Sequence, residues 1–157
     1  MAERKSAVKE PVKAARTKKI AAADALSAEE KAAMRETIRE RRRAAAGADG
    51  LADLLSKIAE MPQPDRSLAE RVHAVVMGAV PSLEPRTWYG MPAYAKNGNV
   101  ICYFQNAGKF KARYGKFGFS DKALLDDGKM WPVEFALLDL TKADEKRLAA
   151  LVVQAVG

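Results

Sequence analysis

A short segment in which charged and apolar residues alternate is the first candidate for a binding site. Residues 109–114 read Lys-Phe-Lys-Ala-Arg-Tyr, so a β-strand here places Lys109, Lys111 and Arg113 on one face. Like charges along one face are mildly unfavourable unless solvent screens them or an anion binds them. The segment therefore predicts either a solvated outer face of a sheet or a site for an anionic ligand.

Aromatic residues indicate where the rest of such a site lies. All eleven are found between Trp88 and Phe135, and the first 87 residues contain none. Because aromatic side chains bury the largest areas, this part of the chain is expected to form the packed core and any ligand groove. Trp88, Tyr89 and Tyr103 are the predicted ligand-binding neighbours of the three cations.

Carboxylates offer a second kind of site. Asp126 and Asp127 precede Gly128 and supply oxygen atoms of the kind that hard cations prefer. The alternative is that Asp-Asp-Gly is ordinary turn chemistry, in which the side chains hydrogen-bond to the nearby backbone.

The residue types that carry catalysis do not form a recognisable constellation. The single cysteine, Cys102, lies in the most hydrophobic segment, where a thiol is usually an inert apolar side chain. The single histidine, His73, falls beside the apolar stripe of a predicted helix, and Ser27 and Ser67 fall at predicted helix caps. Neither a phosphate-binding loop nor a dinucleotide-binding glycine motif is present. The sequence therefore predicts a protein that is not an enzyme.

Capping and periodicity predict four helices. Ser27 with Glu30 forms a capping box at the start of a helix that runs to about residue 46, with Met34 and Ile38 as its thin apolar stripe. A second helix is expected over about 51–60, since its apolar residues repeat on one face. That face consists of Leu51, Leu54, Leu55, Ile58 and Met61. Further capping signals predict helices that begin at Ser67 and Thr141.

Strand signals fill the region between the last two helices. Asn97-Gly98 between two apolar runs predicts a hairpin, and the run 100–104, apolar on both faces, predicts a central strand. Strands are also expected at 86–89, 109–114, 117–119 and 133–137, with a bend or bulge at 90–92. This order predicts an α+β fold in which an antiparallel sheet has its helices on one face. Its core should bury Trp88, Phe104, Phe117 and Trp131.

Charge divides the chain into parts. The net charge is +7, and residues 1–50 contain thirteen Lys and Arg against eight Asp and Glu. We expect a basic disordered tail over 1–26, a helical extension over 27–50 and an α+β domain over 51–157. The tail is either solvated or contacts nucleic acid non-specifically.

The hydropathy pattern bears on location. No apolar run reaches membrane-spanning length, and no hydrophobic stretch follows the lysine-rich start. A cytoplasmic location without membrane contact is therefore expected.

One string of residues resembles a known family. Trp88-Tyr89-Gly90-Met91-Pro92-Ala93-Tyr94, the hairpin into Val100-Ile101-Cys102-Tyr103-Phe104, then Lys109-Phe110-Lys111 and Phe117-Gly118-Phe119, resemble the YdhG-like domains of unknown function. The resemblance covers about residues 51–157. Members are described as frataxin-like in fold, and some as intracellular iron chaperones.

The resemblance implies an α+β sandwich and delivery of iron. If iron is bound, the predicted ligands are Asp121, Asp126, Asp127 and Glu134. The alternative function is a non-enzymatic small-ligand or anion-binding module that uses Lys109, Lys111 and Arg113 beside the aromatic groove.

Overall fold

The α-helices lie at the two ends of the described chain and the strands lie between them, as the sequence predicts. The computed structural model describes residues 26–45 and 49–157. Three helices come first: α1 (Ala28–Ala45), α2 (Gly50–Glu60) and α3 (Asp65–Ala79). The strands β1 (Glu84–Trp88), β2 (Met91–Lys96), β3 (Asn99–Gln105), β4 (Gly115–Phe119) and β5 (Glu134–Leu137) follow, with a 3₁₀ helix (Ala107–Phe110) before β4 and α4 (Lys142–Val156) at the end. The predicted α+β class is confirmed, whereas the predicted tail lies outside the described residues except for Leu26.

The sheet is a meander in which every strand pairs antiparallel with its neighbours in the sequence, in the order β1-β2-β3-β4-β5. The predicted hairpin at Asn97-Gly98 joins β2 to β3, and both residues have positive φ, which matches the twist of the strands. β3 is the central strand, as predicted.

The turn between β1 and β2 differs from the predicted bend. Tyr89 and Gly90 have φ of 51° and 73°, so these two residues form the turn. Pro92 lies inside β2 opposite Thr87, where β2 pairs with β1 but not yet with β3. The missing N–H of proline therefore costs the β2–β3 ladder no hydrogen bond.

One face of the sheet forms the core with the helices. Tyr94, Cys102 and Phe119 are cross-strand neighbours on that face. Two residues further along β3, Phe104 pairs with Phe117 of β4 on the same face. Helices α2, α3 and α4 cover them with an apolar set: Leu54, Ile58, Val72, Val76, Leu148 and Val152. Phe104 and Phe117 are buried as predicted. Trp131 packs against this core as predicted. Trp88 packs on Tyr89 and Tyr103 instead, so the prediction was wrong for Trp88.

The helix caps agree with the sequence at two of three predicted positions. Ser27 and Glu30 exchange hydrogen bonds at the start of α1, and Thr141 does the same with Asp144 at the start of α4. The third helix begins two residues earlier than predicted, and the Ser67 hydroxyl donates instead to the side chain of Gln63. No described helix combines the length and the apolar character needed to cross a membrane.

Two predicted apolar stripes were partly wrong. Leu51 and Leu55 of α2 are 42% and 46% exposed, although Leu54, Ile58 and Met61 are buried. Met34 and Ile38 of α1 are each 53% exposed, while Ala33 and Thr37 on the other side are buried. Helix α1 therefore faces the domain with small and polar residues.

Candidate functional site

The three predicted cations do not lie on one strand face. Lys109 ends up 15% exposed, with its Nζ atom 3.0 Å from Glu36 Oε2. Lys111 is 82% exposed and pairs with Glu29, and Arg113 lies over the ring of Tyr114 at 5.1 Å. The prediction of a strand over 109–114 was therefore wrong.

The cause is a contact far away in the sequence. The carboxylate of Asp65, in the first turn of α3, accepts hydrogen bonds from the side chain of Asn106 and the N–H of Gly108. These bonds fix a 3₁₀ turn after β3, and Lys111 follows it in the left-handed region at φ 52°. The alternating residues thus belong to a connection between strands.

Lys109 belongs instead to a compact charged site. Lys57 Nζ on α2 lies 3.2 Å from Glu36 Oε1, so the two ammonium groups hold one carboxylate between them. We call Lys57, Lys109 and the carboxylate position between them the lysine site. It lines a cavity of about 250 Å³ together with Gly90, Asn106 and Glu60.

The lysines determine the charge of Glu36. Burial by itself raises the pKa of Glu36, but the hydrogen bonds and charges of Lys109 and Lys57 outweigh burial and hold the pKa below its ordinary value. Burial likewise acts to lower the pKa of Lys57, and the neighbouring Glu36 and Glu60 raise it overall. Glu36 and Lys57 are therefore both ionised at neutral pH.

The Tyr89-Gly90 turn completes the wall of this site. The N–H of Gly90 donates to Glu40 Oε1 at 2.7 Å. A Cβ atom on Gly90 would lie 1.6 Å from Glu36 Oε2 and 2.6 Å from Lys109 Nζ, so a side chain here would displace both groups, and the φ of 73° itself favours glycine. Burial raises the pKa of Glu40, and the nearby charge of Glu36 adds to that, although the Gly90 hydrogen bond opposes both.

The predicted aromatic residues adjoin the same turn. The ring of Trp88 lies 4.9 Å from that of Tyr89 and 5.3 Å from that of Tyr103, measured between centroids. Tyr103 covers Gly118 on the sheet face away from the core, and its hydroxyl donates to Glu134. Burial, with the charge of Glu134, raises the pKa of Tyr103 to about 12. A cleft of about 610 Å³ runs along β1 beside Trp88.

The structure therefore brings together only part of the predicted ligand site. Trp88, Tyr89 and Tyr103 touch in a row, and Lys109 lies beside the turn that ends this row. Lys111 and Arg113 do not line the cavity of the lysine site.

The four predicted metal ligands do not come together at one site. Asp121 and Asp126 line a cavity of about 460 Å³ with Met130 and Trp131, and Asp127 does not. Glu134 is held on the sheet by Tyr103 and by Lys116, whose Nζ lies 3.2 Å from Glu134 Oε1. Within residues 26–45 and 49–157, no group of three or more His, Cys, Asp or Glu side chains is arranged to hold a metal ion. Iron binding stays a prediction from the resemblance.

Cys102 and His73 are placed at or beside the hydrophobic core. Cys102 is completely buried, and this burial raises the pKa of its thiol to about 12. His73 Nδ1 lies 3.0 Å from the hydroxyl of the buried Tyr94, and burial lowers the pKa of His73. Both side chains contribute to the contacts around the core.

Sequence reasoning missed Glu36, Glu40 and Lys57. The available signal was the spacing of Glu29, Glu36 and Glu40 at i, i+7 and i+11, which places three carboxylates on one face of α1. A face of that charge predicts a cationic surface opposite it, although not which lysines form it.

Searches for known relatives gave no identification: neither a protein-family model, nor a curated protein, nor a solved structure matches the chain. The resemblance to YdhG-like domains therefore stays a prediction from the residues quoted above.

Proposed function

We propose that this protein is a non-enzymatic binding module for small anions, and that its ligand is held at the lysine site. The observation that carries the proposal is the convergence of Lys57 and Lys109 on a single carboxylate, at 3.2 Å and 3.0 Å. Their side chains are 23% and 15% exposed. Charge-assisted hydrogen bonds from two ammonium groups in such surroundings suit a carboxylate or phosphate group.

The carboxylate now in the site comes from the chain itself. Glu36 belongs to α1, whose described side chains include only two that are buried, Ala33 and Thr37. Because little apolar surface holds α1 in place, an external anion has to compete with ion pairs rather than with a packed interface. The ligand anion takes the position of Glu36 as α1 moves away.

The neighbouring aromatic residues define the other half of the ligand. Tyr89 is 36% exposed and Trp88 is half-buried, next to the turn that carries Gly90. A ligand with an apolar or planar part beside its anionic group can pack against these rings while the lysines hold the anion.

The test compares anion binding to the natural chain and to Glu36→Gln. Calorimetric titration with pyrophosphate and with citrate should give affinities about tenfold higher for Glu36→Gln, because the variant leaves two lysines without their internal carboxylate. Adding Lys109→Gln to that variant should abolish the gain.

The matched control is Glu70→Gln, which removes one negative charge from an exposed position on α3. It should bind both anions as the natural chain does. If Glu36→Gln keeps its near-ultraviolet circular dichroism and still binds neither anion, the proposal is wrong.

A further inference from the structure

Helix α1 carries opposite charges on its two faces. Its inner face presents Glu29, Glu36 and Glu40 to Lys111, to the lysine site and to Gly90. Four exposed cations lie away from these glutamates, Lys31, Arg35, Arg39 and Arg42, and Arg39 at the edge of this set also borders a small cavity beside Glu36 and Glu40. We call these four residues the outer strip. None of them forms an ion pair with a carboxylate in the described part of the chain.

The outer strip is long and narrow. Its members follow one another at intervals of four, four and three residues, so at 1.5 Å per residue the strip is about 16 Å long, with rises of about 6, 6 and 4.5 Å between successive positions. Three of the four are arginines, whose guanidinium groups can hold a phosphate with two parallel hydrogen bonds.

Folding alone does not account for this arrangement. Like charges four residues apart, such as Lys31 with Arg35 and Arg35 with Arg39, weaken a helix. Of these four cations, only Arg42 lies in the last turn of α1, where the helix dipole stabilises a positive charge.

We propose that the outer strip binds the phosphate backbone of nucleic acid without reading its sequence. A linear row of cations complements a linear polyanion, and phosphate contacts position a protein without sequence information. An anionic membrane fits this face less well, since only Met34 and Ile38 are apolar and half-exposed among the cations. A membrane-bound helix buries a continuous apolar face, whereas the inner face of α1 is occupied by the domain.

The test measures fluorescence anisotropy of labelled DNA and RNA duplexes of mixed sequence with the full chain, over a salt series. The variant Lys31→Gln/Arg35→Gln/Arg39→Gln/Arg42→Gln keeps helix-forming residues at all four positions. We expect its affinity to fall at least tenfold, and the slope of log affinity against log salt to decrease by about 3 to 4, one for each lost phosphate contact.

The matched control removes the same charge elsewhere, by replacing the exposed lysines Lys122, Lys129, Lys142 and Lys146 with Gln. It should change neither the slope nor the order of magnitude of the affinity. The proposal is overturned if the natural chain binds neither duplex, or if the strip variant binds like the natural chain, which assigns binding to other basic residues. It is also overturned if the strip variant loses binding to vesicles of phosphatidylcholine and phosphatidylserine but binds both duplexes like the natural chain. Glu36→Gln separates the two proposals, because it alters the lysine site and leaves the outer strip intact.

Discussion

Helices α1 and α4 are attached to the same domain by different forces. α4 buries Leu148, Val152 and Ala155 against the sheet and α3. Among the side chains of α1 that the structure describes, only Ala33 and Thr37 are buried, and carboxylates of this helix add ion pairs and hydrogen bonds to the domain. The difference teaches that a helix can be long and well capped and still contribute little buried apolar surface to the fold.

The magnitudes support this distinction. A large aliphatic side chain that is fully buried contributes about 1.5–3 kcal/mol, and salt does not weaken it. A half-exposed ion pair contributes at most about 1 kcal/mol, and it weakens as salt rises. Conditions that leave α4 in place can therefore release α1.

The largest expected effect tests that contrast directly. Leu148→Ala on α4 should lower the free energy of unfolding by about 2–5 kcal/mol, because it leaves a cavity in the core. Ile38→Ala on α1 should change it by no more than about 0.5 kcal/mol, since that side chain is 53% exposed. Urea unfolding of both variants measures the two values. Similar losses would mean that α1 is as integral to the fold as α4.

A smaller effect is expected where α2 approaches the sheet through its backbone. A Cβ atom on Gly50 would lie 2.3 Å from the carbonyl oxygen of Pro85, which is backbone of β1 and cannot swing aside. Gly50→Ala should therefore destabilise the fold by about 1–3 kcal/mol. Gly78→Ala on α3 is the matched control, because its Cβ meets nothing within 4 Å.

The control should move in the opposite direction. Alanine in a helix interior is better than glycine by about 0.5–1 kcal/mol, so Gly78→Ala, in the last turn of α3, should raise the melting temperature by a part of that gain. Thermal unfolding of the two variants compares the signs. Equal losses of stability in the two variants would show that the close approach of α2 to β1 is not the reason why position 50 requires glycine.

The smallest effect distinguishes two carboxylates of α1. Glu36 has a lowered pKa, so its contribution to stability is present above its unfolded pKa, near 4.5, and is lost as pH falls through the lowered folded value. Glu40 has a raised pKa, so it stabilises the folded state less as pH rises from 4.5 through its folded value.

At pH 7 the two glutamine variants should therefore differ. Glu36→Gln should lose about 1 kcal/mol, because the two lysines lose their partner. Glu40→Gln should be unchanged or slightly more stable, since an amide oxygen can still accept from Gly90 without burying a charge. Chemical unfolding at pH 7 and at pH 4 measures both, and a greater loss for Glu40→Gln would contradict the assignment.

Features determined by nearby residues could be predicted from the sequence. The capping boxes at Ser27 and Thr141 and the Asn97-Gly98 hairpin each depend on a few adjacent residues, and all three are confirmed. The α+β class followed from their order along the chain.

Features determined by distant residues could not. The alternation over 109–114 looked like a strand, but the carboxylate of Asp65 holds the preceding residues in a turn. The lysine site depends on Glu36, Lys57 and Lys109, which only the fold brings together. The spacing of the α1 glutamates predicts a cationic surface opposite them, but no local pattern shows which lysines form it.

The burial of Cys102 gives the molecule a built-in chemical reporter. It is the chain's single cysteine, its accessible surface is zero and its thiol has a pKa of about 12, so an aromatic disulfide reagent reacts only when the core opens. The labelling rate of this thiol thus reads the opening of the β-sheet core and ignores departure of α1. An anion that displaces only α1 should therefore leave the labelling rate unchanged, whereas loss of the fold should raise it.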